Sequence, residues 1–150
     1  LQGNYILFSS SFNYKVKNYS LLKDAIELLH RDDIEVIELK GYSRNEVSLL
    51  LNAVDVCVMT SIKEGSPQII KEALATNCRI VSTDVGDVKE LTNGLNGCYI
   101  INSDKRTLAN CLEKVFESKF RLSNGRNRIL HLGLENIANR ILGVYNEIKA

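Results

Sequence analysis

The sequence has one proline, Pro67, two histidines and four cysteines, none of them in a CxxC pair. Cys57, Cys78, Cys98 and Cys111 are widely spaced and have no histidine close by, so they form no zinc or redox motif. Three of them fall in apolar runs that read as strands, where a free thiol behaves as a small buried hydrophobe. That usage suits a reducing compartment, and a cytoplasmic location is expected. No uncharged apolar run approaches the roughly 18 residues that a membrane span needs, and no signal peptide is visible. A net charge of +1 gives no reason to expect a nucleic-acid footprint or an acidic partner. No GxSxG, Walker A or GxGxxG motif is present. His30 and His131 sit in helical patterns without a catalytic motif.

What the sequence does have is alternation. The runs "NYILFSS", "IEVIELKG", "DVCVMTS", "CRIVSTDV" and "GCYIIN" read as strands. Between them "NYSLLKDAIELLHR", "RNEVSLLLNAV", "SPQIIKEALATN" and "DVKELTNG" carry helical spacing or helix boundaries. "DKRTLANCLEKVFESK" and "RNRILHLGLENIANRILGVYNEI" read as two terminal helices. Strands that alternate with helices across short connections imply right-handed crossovers and a parallel sheet covered on both faces. The expected fold class is therefore α/β: a doubly wound, Rossmann-like, three-layer α/β/α domain. At 150 residues one domain is expected, 1–150. Because the chain begins at Leu1 rather than Met, it is expected to be cut from something longer.

In such sheets ligands bind beyond the carboxyl ends of the strands. This directs attention to "SSSFNYKVKN", "KGYS", "TSIKEGS" and "STDVGD". The third is the richest. Ser66 suits an N-cap and Pro67 a first helical residue. On the following helix Ile69, Ile70, Ala73 and Leu74 share one arc, and Glu72 lies at the edge of the polar arc. Pattern alone leaves two readings. Glu64 and Glu72 are solvated surface carboxylates, or they flank an anion held at the helix start, where free N–H groups and the positive dipole end favour negative charge. Gly65 allows close backbone approach. Lys15 and Lys17 in the first loop are ordinary surface lysines, or they reach toward the same anion. Gly41 and Tyr42 form a turn, or a platform for a base. Thr83, Asp84, Gly86 and Asp87 stand at another strand end and supply turn chemistry and an N-cap.

The run "LLNAVDVCVMTSIKEGSPQIIKEALATNCRIVSTDVGDVKELT" resembles the donor-binding, C-terminal half of GT-B fold retaining glycosyltransferases of family 4, the "glycosyl transferases group 1" type. Glu64 and Glu72 match that family's E-x7-E motif. The resemblance implies that Glu72 holds the ribose hydroxyls of a nucleotide-diphospho-sugar and that Glu64 contacts the donor sugar. It implies that N–H groups of Gly65 and Ser66 meet sugar hydroxyls, those of Gln68 and Ile69 the phosphates, and that Lys17 is a phosphate lysine. Gly41 and Tyr42 would flank the base, and Glu90 matches an acidic residue after the fourth strand. Glu64 and Lys17 would be the catalytic pair. It further implies a hexosyl donor, no cofactor and no metal, and an N-terminal acceptor domain absent from this sequence. Contact with the inner face of a membrane would come through that missing half, and the fragment alone would be inactive.

Two departures stand out. Many members carry an arginine shortly before the phosphate lysine, where this chain has "SSSFNYKVK", and the second glycine of the family's GG turn is Asp87. These leave a non-catalytic nucleotide-sugar-binding module as an alternative. A sugar-nucleotide epimerase of the same architecture is a further one, which the E-x7-E context argues against. A receiver-like regulatory domain would need an acidic cluster where the first strand ends in "SSS".

Overall fold

The computed structural model describes residues 3–118, 120–122 and 124–149. Five strands form one sheet: β1 (Asn4–Phe8), β2 (Ile34–Glu38), β3 (Val56–Met59), β4 (Arg79–Thr83) and β5 (Cys98–Ile101). Their order is β2-β1-β3-β4-β5, and every adjacent pair is parallel. Helices fill the crossovers: α1 (Tyr19–Leu29), α2 (Arg44–Ala53), α3 (Gln68–Ala75) and α4 (Val88–Thr92), followed by α5 (Lys105–Glu117), α6 (Gly125–Arg128) and α7 (Leu134–Lys149).

Strand periodicity divides the core into two layers. Ile6 and Phe8 of β1, Val56 and Val58 of β3 and Val81 of β4 turn to one face, where they pack with Leu22 of α1 and Leu108 and Leu112 of α5. Leu7, Cys57, Met59 and Ile80 turn to the other, against Leu51 of α2, Ile70 and Leu74 of α3 and Val88 of α4. This is the expected three-layer α/β/α arrangement, with β1, β3 and β4 buried on both faces as a central parallel sheet requires. Burial pushes the Cys78 thiol up to about 11 and Cys98 to about 12, and raises the Cys57 thiol well above its ordinary range. All three are protonated, poorly reactive packing groups.

Three details depart from the expected elements. The helix of the E-x7-E segment begins at Gln68 with Pro67 as its N-cap and no side-chain cap, so Ser66 does not cap it. The Ser66 hydroxyl is instead engaged by Lys71 and Asp87. The long terminal helix is broken into α6, a 3-10 turn at Leu130–Leu132 and α7. The break falls where Gly133 is extended and its N–H bonds back to the Leu130 carbonyl. The first loop also contains an unforeseen 3-10 turn, Lys15–Lys17. Lys119, the last residue of "DKRTLANCLEKVFESK", lies outside the described residues.

Two arginines staple the amino ends of the strands. Arg79, 5% exposed, donates from Nε to the Asp55 carbonyl at 2.9 Å and from Nη1 to the carbonyls of Val115 and Ser118. Arg121 donates to the carbonyls of Leu51, Asn52, Val54 and Thr76, binding the end of α2 to the end of α3. Both sit away from the loops that hold the candidate ligand groups. Replacing Arg79 with Leu strands three carbonyls and the partner carboxylate of Asp55. It is expected to cost roughly 3 kcal/mol and about 10 °C in Tm. Arg31→Ala, which removes an exposed pair with Asp33 and a contact over the Phe116 ring, should lower Tm far less. Thermal melts of the two variants check the contrast.

Candidate functional site

The chain leaves β1 toward β2 on one side and returns to β3 on the other, so the topological switch point of this strand order lies between β1 and β3. Hydrogen bonds cross-link the loops that emerge there. The Thr60 hydroxyl, after β3, donates within 2.9 Å of the carbonyls of both Lys17 and Asn18, and the Ile62 N–H donates to the Val16 carbonyl at 2.9 Å. Thr83, closing β4, donates from its hydroxyl to the Ser61 carbonyl at 2.6 Å. On the β2 side, Glu38 accepts from the Ser11 hydroxyl and the Phe12 N–H, both at 2.8 Å. These two bonds hold its carboxyl below the usual range. The stacked rings of Phe12 and Tyr19 then seat the first loop on Phe8.

This stitching brings two of the expected residues into contact. Lys17 Nζ lies 2.5 Å from Glu64 Oε1, both side chains half-buried. Beside them, the first N–H groups of α3, at Gln68 and Ile69, have no partner within the helix because none can exist there. Gly65 is fixed by Gly86: a Cβ at Gly86, whose φ is +57°, would lie 2.0 Å from the Gly65 carbonyl oxygen. Only glycine permits that approach. Four buried side-chain atoms among the described residues lack a hydrogen-bond partner, and three of them belong to these loops: Ser9 Oγ, Ser61 Oγ and Asp87 Oδ1. Such a concentration is characteristic of a functional site rather than of a structural core.

Glu72 lies further along α3, on an open cleft of about 570 Å³ that Arg44, Gln68, Lys71 and Arg126 also line. Apolar groups of Ile129, Leu132 and Ile137 complete its far wall. Partial burial raises the Glu72 carboxyl above its ordinary value, and the facing charge of Arg44 opposes that rise. Gly41, at φ +79°, and Tyr42, 42% exposed, occupy the loop after β2 at the same edge of the sheet, with no hydrogen bond to the Lys17–Glu64 pair. Lys15 is exposed, and Glu90 is exposed on α4. Among the described residues, the Asp84 side chain makes only a solvent-exposed pair with Lys89, at 3.4 Å.

Sequence reasoning missed Arg44, Lys71 and Arg126 as parts of one wall. Arg44 and Lys71 carry a weak signal, a cation in the first turn of a helix, where acids are favoured. Arg126 has none, because its place depends on how α6 docks: Gly125 abuts α3 so closely that a Cβ there would lie 2.9 Å from the Leu74 carbonyl oxygen.

The raised Glu72 pKa has a defined sign. A carboxyl whose folded pKa exceeds its unfolded value contributes stability that is full below the unfolded pKa and is lost as pH rises through the folded one. Glu72→Gln is therefore expected to melt higher than the unsubstituted chain at pH 7, with the gap closing below pH 4. Paired thermal melts at the two pH values check it.

Residues 27–118 match the family described as "Glycosyl transferases group 1". The chain is 27% identical over 164 aligned positions to an Escherichia coli UDP-Gal:alpha-D-GlcNAc-diphosphoundecaprenol alpha-1,3-galactosyltransferase, an alignment that takes in 99% of this chain and 40% of that protein. Its fold is that of sucrose-phosphate synthase from Thermosynechococcus elongatus, with a TM-score of 0.83 at 17% identity over 97% of this chain and 45% of that one. Anabaena HepE, solved in complex with UDP-glucose, superposes with a TM-score of 0.76 at 17% identity over 97% of this chain and 49% of that one. The chain spans less than half the length of each of these relatives. With the family match covering more than half of its residues, the chain belongs to the glycosyl transferases group 1 family, and its doubly wound sheet is the Rossmann-like fold of GT-B glycosyltransferases.

Proposed function

We propose that this chain is the donor-binding, C-terminal part of a family 4 retaining glycosyltransferase, which takes a hexosyl group from a nucleotide-diphospho-sugar. The acceptor is held by an N-terminal domain outside this sequence. The observation that carries the reading is the meeting of Lys17 and Glu64 beside the open start of α3, at the switch point between β1 and β3.

In this reading the diphosphate settles on the N–H groups of Gln68 and Ile69, and Lys17 turns from Glu64 to the phosphate oxygens. Charge that develops on the leaving nucleoside diphosphate then meets a fixed dipole and an ammonium already in place, the preorganised stabilisation that dominates such steps. Release of Lys17 frees the Glu64 carboxylate to accept from donor-sugar hydroxyls, together with the N–H groups of Gly65 and Ser66. Glu72 accepts from the ribose hydroxyls, and Gly41 and Tyr42 flank the base. Burying the Glu72 carboxyl costs stability in the free protein, and two hydroxyl donors from a ribose offset that cost. The scheme calls for no metal ion.

The donor chemistry named for two relatives, UDP-Gal for the Escherichia coli enzyme and UDP-glucose for HepE, supports UDP-hexoses as the first donors to try. The diphosphoundecaprenol acceptor of the former supports a site of action at the inner face of a membrane, reached through the missing half. No helix among the described residues is long and apolar enough to cross a membrane.

Calorimetric titration of the chain with UDP-, GDP- and ADP-sugars is expected to give weak binding for one base class and no turnover. Glu72→Ala should weaken that binding about tenfold, the effect of losing a charged acceptor. Absence of heat with all three classes, or binding unaltered in Glu72→Ala, would overturn the reading.

A further inference from the structure

The first turn of α3 contains no acidic residue and holds a cation, Lys71, at its fourth position. A cation there opposes the helix dipole, and Arg44 and Arg126 share the same wall with only Glu72 to offset them. Lys71 is nevertheless drawn back over the helix start. Its Nζ donates to Ser66 Oγ at 2.6 Å, and the Ser66 hydroxyl donates to Asp87 Oδ2. Asp87 stands on the turn whose Gly86 is locked against Gly65. The chain Asp87–Ser66–Lys71 therefore ties the ammonium to the turn that abuts Gly65.

The pairing is unlike that of Lys17. Lys71 makes a single hydrogen bond and no ion pair among the described residues. An ammonium has three donors, so two remain unused. Asp87 Oδ1 is buried and unpartnered, and so is the hydroxyl of Ser61, a residue 1% exposed at the end of β3. A cation held against the helix dipole by its own hydrogen-bond chain, with donors to spare, breaks a local rule in a way that an anionic ligand would explain. The ligand that two unused ammonium donors and two open helix N–H groups fit is a polyvalent anion.

We propose that Lys71 is a second phosphate-contacting cation of the donor site, held in place by Ser66 and by Asp87 as a positioning residue. It fills the part left open by a first loop without arginine. This rests on the donor reading above. In this arrangement the Asp87 carboxylate, which stands where the family has a glycine, anchors a phosphate-binding cation.

The test is titration with UDP, GDP and ADP and with the matching nucleoside monophosphates, on the unsubstituted chain and on Lys71→Met, Asp87→Gly, Asp87→Asn and Glu72→Ala. For the diphosphate that binds best, Lys71→Met is expected to raise Kd about tenfold and to shrink the preference for diphosphate over monophosphate. Asp87→Gly should weaken binding in the same direction, and Asp87→Asn should restore most of it. The double variant Lys71→Met/Asp87→Gly should be no weaker than Lys71→Met alone, because the two act through one contact. Thermal melts establish that each variant is folded. If no diphosphate binds the unsubstituted chain, the donor reading and this proposal fall together. If a diphosphate binds and Glu72→Ala weakens it while Lys71→Met does not, or Asp87→Gly tightens it, this proposal alone is overturned.

Discussion

The site depends on how closely two backbones approach at the carboxyl edge of the sheet. Gly86 rests against the Gly65 carbonyl, at a distance that no side chain would permit. From that contact outward, the loops after β1, β3 and β4 are tied to one another through Thr60, Ile62 and Thr83. Parallel strands with right-handed crossovers bring these loops to one edge in any fold of this class. The glycine contact and the hydroxyl bonds turn neighbouring loops into a fixed frame, which holds the Lys17–Glu64 pair and the start of α3 in register.

The frame is built at a cost in stability. An ion pair at the switch point is half-buried, Glu72 is partly desolvated, and Lys71 stands against a helix dipole. Each would be relieved by a polar, diphosphate-bearing ligand that takes hydrogen bonds from the cations and gives them to the carboxylates. The apolar layers show no comparable tension: Phe8, Ile70, Leu74, Ile80, Leu108 and Leu112 are fully buried, and the buried Arg79 meets carbonyls and the Asp55 carboxylate. Among the described residues three of the four unpartnered buried polar atoms fall at this edge, the pattern expected where binding constrains the residues.

The elements were legible in the sequence because their causes are local. Short apolar runs mark β1 and β3, the alternation of "IEVIELKG" marks β2, and Ile69, Ile70, Ala73 and Leu74 mark the buried arc of α3. The family motif supplied Glu64, Glu72 and Lys17, and the fold places the first and last of these in contact. The errors came where a residue has two uses. Ser66 has the chemistry of an N-cap, yet its hydroxyl is taken by partners five and 21 positions away. The terminal helix has an unbroken apolar period, yet Gly133 ends one segment and starts another. Arg79, Arg121 and Arg126 act over separations of 24 to 70 residues, and no spacing rule reaches that far.

The central claim is that a nucleoside diphosphate binds across the β1 and β3 loops and the start of α3. Backbone amide shifts recorded by NMR while UDP, GDP or ADP is added test it most directly. The account predicts the largest changes at Lys17, Glu64, Gly65, Ser66, Gln68, Ile69 and Glu72, with smaller ones at Gly41 and Tyr42 and none at Arg79 or Arg121. Shifts confined to the amino ends of the strands, or to α7, would contradict it.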